Sequence, residues 1–335
     1  MAEAKTGETA FLTYFEAVRL ALKEEMELDP TVFLMGEDIR YSIFGPTRDL
    51  HLEVGEERVL DTPITESAFV GAAVGAALTG MRPVVEIMFA DFMTVCMDQI
   101  INQAAKVRFM TGGQVKVPLV IRAPGGMLSS SAAQHSQSLE ALFMHVPGLK
   151  VCVPSGPVDA KGLLKSAIRD GDPVLFFEHK ALYFASDQVP VDPQFTVPLG
   201  EAAVLREGED VTVFAVSGMV SSSLNAANSL AKEGISAELI DPRTLVPLDK
   251  ETLLASVRKT GRLVTVEEGC LTGGVGAEVT ALVTSEAWDA LKGPVVRVAA
   301  KDQPVPFSPA LEAACAPNAQ PSAAAVRECM ERTQG

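Results

Sequence analysis

Short apolar runs rich in β-branched residues alternate with helical segments along the chain, and this alternation restricts the fold more than any other feature. Such runs predict buried strands, at 31–35, 82–89, 117–122, 149–153, 173–177, 211–216, 237–240, 263–266 and 295–298. Helices are predicted between them, at 13–28, 68–81, 91–108, 220–232, 249–259 and 275–288. The predicted fold class is therefore α/β, with mainly parallel sheets flanked by helices.

A proline-rich segment divides this alternating pattern into two parts. Residues 186–198 (SDQVPVDPQFTVP) carry three prolines and little helical pattern, which is typical of an interdomain linker. We predict an α/β domain at 1–185, a linker at 186–199 and a second α/β domain at 200–335. Each part is long enough to bury its own core.

Composition excludes several classes of protein. The net charge of −15 makes a surface for nucleic-acid phosphates improbable. The five scattered cysteines form no C-x-x-C pair, and the polar N-terminus has no apolar signal region, so we expect a cytoplasmic protein with reduced thiols. The apolar run at 68–81 is shorter than the about 20 residues of a membrane span, so we predict a buried helix.

Glu66 is the residue whose surroundings leave its role most open. Pro63 disfavours helix immediately before it, and Thr62 or Thr65 could cap a helix whose first turn holds Glu66. An acid in that turn is stabilised by the helix dipole, which is a purely structural explanation. The small residues that follow predict tight packing, however, and a buried carboxylate is costly without a partner.

Several motifs in a fixed order carry a resemblance to a known family. They read DTPITESAFVGAAVGAAL, EIMFADFMTVCMDQIINQAAKVRFMTGG and AAQHSQSLEALFMHVPGLKV, followed by IDPRTLVPLD, VTVEEGCLTGGVGAEV and PFSPALE. From about Leu12 to near Arg327 the sequence resembles the β subunits of the thiamine-diphosphate-dependent decarboxylating component of 2-oxo acid and acetoin dehydrogenases. The resemblance implies a transketolase-like pyrimidine-binding domain followed by a transketolase C-terminal-like domain.

The resemblance also implies roles for individual residues. Glu66 matches the glutamate that hydrogen-bonds a ring nitrogen of the cofactor's aminopyrimidine, favouring the imino form that takes a proton from the thiazolium carbon. Phe92 matches the residue that stacks on this ring, and Ile64 and Met88 match its other apolar contacts. His135 is implied at the lipoyl-accepting end of the site, as a proton donor. Without the resemblance, Phe92 and His135 would be ordinary structural residues.

A potassium site is implied in the same way. Some β subunits hold the ion through backbone carbonyls, at positions matched here by Leu119, Ala167, Ile168, Asp170 and Asp172. Carbonyl ligands leave no side-chain pattern, so the residues by themselves do not suggest a metal site. The two aspartates are otherwise typical turn residues, in the sequence RDGDP.

One motif that such a cofactor needs is missing. The chain has neither Gly-Asp-Gly nor an Asn-Asn pair to hold magnesium and the diphosphate. We therefore predict an α subunit that supplies them, in a heterotetramer of two α and two β chains. The glycine-rich run GGVGA at 273–277 lacks the G-x-G-x-x-G pattern, so we interpret it as a packing turn and not a phosphate loop.

The predicted function is oxidative decarboxylation or cleavage, with acyl transfer to the lipoyl domain of an acyltransferase core. The motifs are most similar to those of acetoin dehydrogenases, while pyruvate and branched-chain 2-oxo acid dehydrogenases remain alternatives. A split transketolase would need sugar-phosphate-binding Arg and His clusters, which are not found, and a non-catalytic scaffold is the third alternative. Ser67-Ala68 replaces the family's Gln-Gly and the loop at 38–49 is atypical, which leaves the substrate open.

Overall fold

A computed structural model gives the structure of the chain and describes residues 7–127 and 129–332. Its strands in chain order are β1 (Thr9–Thr13), β2 (Val32–Gly36), β3 (Val59–Asp61), β4 (Arg82–Glu86), β5 (Val120–Gly125), β6 (Lys150–Cys152), β7 (Val174–His179), β8 (Ser186–Pro190), β9 (Ala203–Arg206), β10 (Val211–Ala215), β11 (Ala237–Asp241), β12 (Thr244–Val246), β13 (Leu263–Cys270) and β14 (Val296–Ala300). Its α-helices are α1 (Tyr14–Leu28), α2 (Leu50–Val54), α3 (Glu66–Leu78), α4 (Ala105–Met110), α5 (Glu140–Met144), α6 (Pro157–Arg169), α7 (Met219–Ala231), α8 (Lys250–Thr260), α9 (Val275–Glu286), α10 (Pro309–Cys315) and α11 (Ala319–Glu331).

The described residues form two compact units. Among the described residues, the first contains 7–125 and Leu142–Leu199, and the second contains 126–127, 129–141 and 200–332. The domain division predicted from sequence placed residues 126–141 in the first domain, whereas the structure groups them with the second unit. No local sequence pattern predicts this grouping, because it depends on contacts between distant parts of the chain.

The first unit is built on a parallel sheet with six of its strands in the order β6-β7-β5-β4-β2-β3. Helix α1 begins at a capping box, in which Thr13 and Glu16 satisfy each other's backbone amides. Its apolar face, with Val18, Leu22 and Met26, packs into a core shared with α6 and the sheet. The predicted amphipathic helix at 13–28 is confirmed, and so is the parallel α/β class.

The predicted linker is more regular than expected. Its first residues form β8, which pairs antiparallel with β1, with Thr9 opposite Pro190 and Thr13 opposite Ser186. The prolines do not prevent this pairing, since only Pro190 lies in β8, and at the last residue of this edge strand. Residues 186–190 are thus part of the first unit and not a free connection.

The second unit contains a five-stranded sheet in the order β14-β13-β10-β11-β9. All its pairs are parallel except for β9, which runs antiparallel to β11 at the edge. Helices α7 and α11 cover a core that includes Val213, Leu239 and Val264. The alternating strand and helix pattern predicted after residue 200 is confirmed.

The predicted helix at 91–108 is wrong in its first part. The chain forms a 3-10 helix at Ala90–Thr94, a π-helix at Gln99–Ala104 and only then α4. Asp91, a residue type that often caps a helix, lies buried inside the 3-10 helix, and the residue before that helix is Phe89. The helical stretch ends shortly after α4, where Gly112 and Gly113 both adopt positive φ.

The apolar run at 68–81 belongs to α3, which is a 13-residue helix that begins at Glu66. Gly71 faces the π-helix, where the side chain of Gln99 lies 3.5 Å from the point that a Cβ would occupy. Helix α3 thus packs closely on its neighbour, as the small residues predicted. Within the described residues, every helix is too short or too polar to cross a membrane.

Candidate functional site

The carboxyl ends of three neighbouring parallel strands, β3, β2 and β4, meet at one edge of the first unit's sheet. Ligands of open α/β sheets bind outside this edge. Glu37 follows β2, Glu66 begins the helix after β3, and Phe92 lies in the 3-10 helix after β4. Ile64 lies in the connection from β3 to α3, and Met88 lies between β4 and the 3-10 helix. The structure therefore places the four predicted cofactor contacts at one edge of one sheet.

Glu66 is the first residue of α3 and is only 8% exposed. Thr65 occupies the N-cap position, but its side chain makes no capping hydrogen bond and instead donates to the carbonyl of Pro63. The amides at the start of α3 therefore lack the side-chain partner that a capping threonine usually supplies. A buried acid in the first turn is placed where the helix dipole favours its negative charge.

A second buried carboxylate, Glu37, lies in the field of Glu66. Burial, and then the nearby charges of Glu66 and Asp38, raise the pKa of Glu37, while the backbone amide of Thr65 opposes this by donating to its carboxylate. Its Oε1 atom has no hydrogen-bond partner among the described residues. A buried polar atom without a partner is costly, and at a site edge it marks a place where a ligand can bind.

The sequence did not identify Glu37 as a site residue. The sequence signal is Gly36-Glu37-Asp38 directly after a buried strand, a pattern typical of a functional loop that does not single out one side chain. Cys96 also lies within reach of Glu66, because burial and the charge of Glu66 together raise the pKa of its thiol to about 12. This thiol remains protonated at neutral pH.

Apolar side chains complete this edge of the sheet. Ile64 is 79% exposed in the isolated chain, whereas Met88 and Phe92 are half-buried. The ring of Phe92 packs edge-on against Phe89 with the ring centroids 5.7 Å apart, and Phe89 in turn packs edge-on against Phe44. An exposed branched apolar side chain beside two buried acids suits a flat heterocycle that offers ring nitrogens to the acids.

His135 belongs to the second unit, in the loop that precedes α5. Two buried carboxylates of that unit hold the loop, because Glu268 accepts a hydrogen bond from the amide of Met127 and Glu312 accepts from those of Ser129 and Ser130. Ser130 adopts a positive φ of 52°. The histidine itself is half-buried and its amide lies 3.4 Å from the carbonyl of Ala132.

At two of the five positions matched to potassium ligands, a positive side chain already binds the backbone carbonyl. Arg82 Nη1 donates to the carbonyls of Ile168 and Asp170, at 2.8 and 2.9 Å. The carbonyls of Leu119 and Ala167 accept backbone hydrogen bonds at 2.9 and 3.3 Å. The side chain of Asp172 is paired with Arg108 and lies 3.8 Å from Lys150. Positive side chains therefore lie against the Ile168 and Asp170 carbonyls and the Asp172 carboxylate.

The glycine-rich run at 273–277 is a packing turn, as predicted. The amides of Val275 and Gly276, at the start of α9, both donate to the carboxylate of Glu267 at 2.7 Å. A Cβ at Gly274 would come within 2.6 Å of the same carboxylate. Because an internal acid already satisfies these amides, the helix start has none of the free donors that a phosphate would need.

Two family models match the chain and agree with this architecture. The transketolase pyrimidine-binding domain matches residues 11–185, and the transketolase C-terminal domain matches residues 200–321. A solved structure described as a split gene transketolase, an inactive β4 tetramer, is similar with a TM-score of 0.79 at 27% identity, covering 98% of this chain and 99% of that one. A Pichia stipitis transketolase shares the fold, with a TM-score of 0.68 at 13% identity and coverage of 97% and 46%.

Curated relatives narrow the class further. The acetoin:2,6-dichlorophenolindophenol oxidoreductase subunit beta of Cupriavidus necator is 49% identical, covering 94% of this chain and 96% of that protein. The mitochondrial pyruvate dehydrogenase E1 component subunit beta-2 of Oryza sativa is 48% identical, with coverage of 94% and 85%. The 2-oxoisovalerate dehydrogenase subunit beta of Bacillus subtilis is 45% identical, with coverage of 96% and 99%. The chain belongs to this family of dehydrogenase β subunits with transketolase-like domains, which confirms the resemblance.

Proposed function

We propose that this chain is the cofactor-activating β subunit of a thiamine-diphosphate-dependent dehydrogenase that cleaves acetoin or a 2-oxo acid and passes the acyl group to a lipoyl domain. The observation that carries the proposal is the buried Glu66 at the start of α3, beside Glu37 with its unsatisfied oxygen. The relatives support the class of reaction, because their names describe β subunits of such oxidoreductases.

The site's residues fit the pyrimidine half of this cofactor. Its ring offers nitrogens that can pair with a carboxyl group, and two apolar faces that can pack on Phe92, Met88 and Ile64. The bound cofactor supplies the carbon nucleophile, which the twenty side chains lack. In our proposal Glu66 shares a proton with the ring nitrogen, and its burial strengthens that hydrogen bond.

We also propose that His135 donates a proton at the lipoyl-accepting end of the site. A histidine suits this task because its ordinary pKa lies close to neutral pH. The support is the position of His135 on a loop held by two buried acids, Glu268 and Glu312. Such anchoring of the backbone holds a proton donor in place.

A partner chain is part of the proposal. The sequence lacks the Gly-Asp-Gly and Asn-Asn elements that hold magnesium and the diphosphate, so we assign both to an α subunit in a tetramer of two α and two β chains. The relatives' names as β subunits support an α partner. A lipoyl-bearing acyltransferase core is the acyl acceptor we propose, in the cytoplasm.

The substrate is acetoin, pyruvate or a branched-chain 2-oxo acid. Identities of 49%, 48% and 45% to the three kinds of relative are too close to separate these substrates. Turnover of the reconstituted α and β pair with acetoin, pyruvate and 3-methyl-2-oxobutanoate discriminates among them. A sugar-phosphate donor in the same assay tests the split transketolase, which the 27% identity to such a structure supports less strongly.

The role of Glu66 is tested by the variant Glu66→Gln in the reconstituted enzyme. We expect a loss of at least about 100-fold in turnover, because an amide cannot share a proton with the ring nitrogen as a carboxyl group does. The control is Glu251→Gln, another acid in the first turn of a helix but exposed to solvent, which we expect to keep full activity. Normal turnover in Glu66→Gln contradicts the mechanism.

A further inference from the structure

The guanidinium group of Arg82 lies among the carbonyl oxygens that end helix α6. Its Nη1 atom donates to two of them at once, those of Ile168 and Asp170, at 2.8 and 2.9 Å. Its Nε atom lies 3.5 Å from the carboxylate of Asp29, the residue that caps the C-terminus of α1. One cation thus links the C-terminal ends of two helices to the start of β4.

Arg82 stabilises the C-terminal end of α6 in two ways. The last carbonyls of a helix have no partner within it, and the helix dipole places partial negative charge there. A metal cation surrounded by oxygen atoms can bind such carbonyls and balance the negative end of the dipole. A guanidinium group can do the same, because it always carries a positive charge and offers several hydrogen-bond donors in a plane.

The other groups around this helix end are also arranged around positive side chains. Lys150 Nζ donates to Asp170 Oδ2 at 2.6 Å, and Arg108 is paired with Asp172. The side chains of Arg82 and Lys150 are 28% and 27% exposed, so solvent screens them only in part. A free cation that entered here would meet three positive side chains, and the two carbonyls already accept hydrogen bonds from one of them.

We propose that Arg82 is a tethered cation that takes the place of a potassium ion at the C-terminal end of α6, so that this chain folds without the ion. The inference goes beyond the proposed function, because it concerns neither cofactor nor substrate. The proposal has two parts: the unmodified chain gains no specific stability from potassium, and removal of the guanidinium creates a site that potassium can fill.

Thermal unfolding of the full chain tests both parts, in chlorides of potassium, sodium and tetramethylammonium at equal ionic strength. We expect the midpoint of the unmodified chain to be the same in the three salts. Arg82→Met keeps an apolar stem without the charge, so we expect a lower midpoint that potassium raises and tetramethylammonium does not. Arg82→Lys keeps one charge, so we expect an intermediate midpoint and a smaller response to potassium.

Arg58→Met is the matched control. Arg58 also bridges carbonyls in the first unit, since its Nη2 donates to those of Met26, Asp29 and Val32 at 2.8, 3.0 and 2.6 Å. None of these carbonyls is at a position matched to potassium, so we expect a loss of stability that is equal in all three salts. This comparison separates a cation site from general loss of an arginine.

Two results overturn the proposal. A potassium-specific rise in the midpoint of the unmodified chain shows that the ion binds despite Arg82. Equal midpoints of Arg82→Met in the three salts show that the carbonyls form no cation site. If Arg82→Met does not fold, the unmodified chain and Arg82→Lys still test the proposal. A larger rise in the midpoint with potassium in the unmodified chain than in Arg82→Lys contradicts it.

Discussion

At the scale of single residues, the candidate site depends on two acids that the fold buries close together. Glu66 alone has a structural explanation, because acids are common in the first turn of a helix. Glu37 changes this interpretation, since the charge of Glu66 contributes to the raised pKa of its carboxyl group. Two buried carboxylates that repel each other cost stability, and such costs are typical of functional sites.

This cost gives Glu37 a predicted effect of pH on stability. Its folded pKa lies above the ordinary value of 4.5, so the folded chain binds this proton more tightly than the unfolded chain does. The stabilising contribution is complete below about pH 4.5 and is lost as pH rises through the folded pKa. We therefore expect Glu37→Gln to unfold at a higher temperature than the unmodified chain near neutral pH.

The difference should shrink toward about pH 4, where the carboxyl group is protonated in both states. Unfolding midpoints measured by circular dichroism across this range test the effect. Glu57→Gln, an exposed acid of the same unit, should show no such pH-dependent gain. A constant difference between Glu37→Gln and the unmodified chain at every pH contradicts the raised pKa.

At the scale of elements, the loop before α5 is fixed by acids from elsewhere in the second unit. Glu268 lies in β13 and Glu312 in α10, and both are at most 5% exposed. Charge-assisted hydrogen bonds to backbone amides are stronger than neutral ones. They stabilise a loop that includes the positive φ of Ser130, which costs free energy for a residue with a side chain.

The anchoring of this loop gives a prediction for Glu312→Gln. An amide oxygen still accepts one hydrogen bond but carries no charge, so the hold on Ser129 and Ser130 weakens. In the reconstituted enzyme we expect acyl transfer to a lipoyl domain to fall by about 10-fold, the factor that corresponds to about 1.4 kcal/mol. Reduction of an artificial dye should change much less, because it does not use the proposed role of His135.

Glu233→Gln is the control for this element, because Glu233 forms an exposed ion pair with Arg327 in the same unit. We expect both assays to remain unchanged in this variant. Equal losses in the lipoyl and dye assays of Glu312→Gln indicate general damage to the fold and not a role in acyl transfer.

At the scale of the whole molecule, two α/β units account for the described chain, and the candidate site occupies one sheet edge of the first. The cofactor contacts that we propose there are for a pyrimidine ring. Among the described residues, no group of three or more His, Cys, Asp or Glu side chains is arranged to hold a metal ion. Our proposal assigns the diphosphate and its magnesium to a partner chain.

This division of the cofactor site predicts weak binding by the chain alone. Calorimetric titration of the isolated β chain with thiamine diphosphate and magnesium should show little or no heat of binding. Addition of the α subunit should produce tight binding that depends on magnesium. Tight, magnesium-dependent binding without the α subunit contradicts the assignment of the diphosphate to the partner.

The sequence by itself determined the elements and the family. Alternation of apolar runs with helical segments is a local property, so it predicted the parallel α/β class and most helices, including α1 and α3. The order of motifs identified the family, and Pro63 with the threonines beside it predicted the first-turn position of Glu66. Local patterns failed at 91–108, where a 3-10 helix and a π-helix precede α4, and at 186–190, where β1 supplies the pairing strand.

Only the tertiary structure decided which distant residues meet. Glu37 and Glu66 are brought together because β2 and β3 are adjacent and parallel, and the order of strands in a sheet is not visible in any short stretch. Arg82 likewise contacts the carbonyl of Ile168, 86 positions along the chain, because the fold brings the start of β4 close to the end of α6. Residue types and periodicity specify each element, whereas the free energy of packing all of them at once selects the contacts between elements.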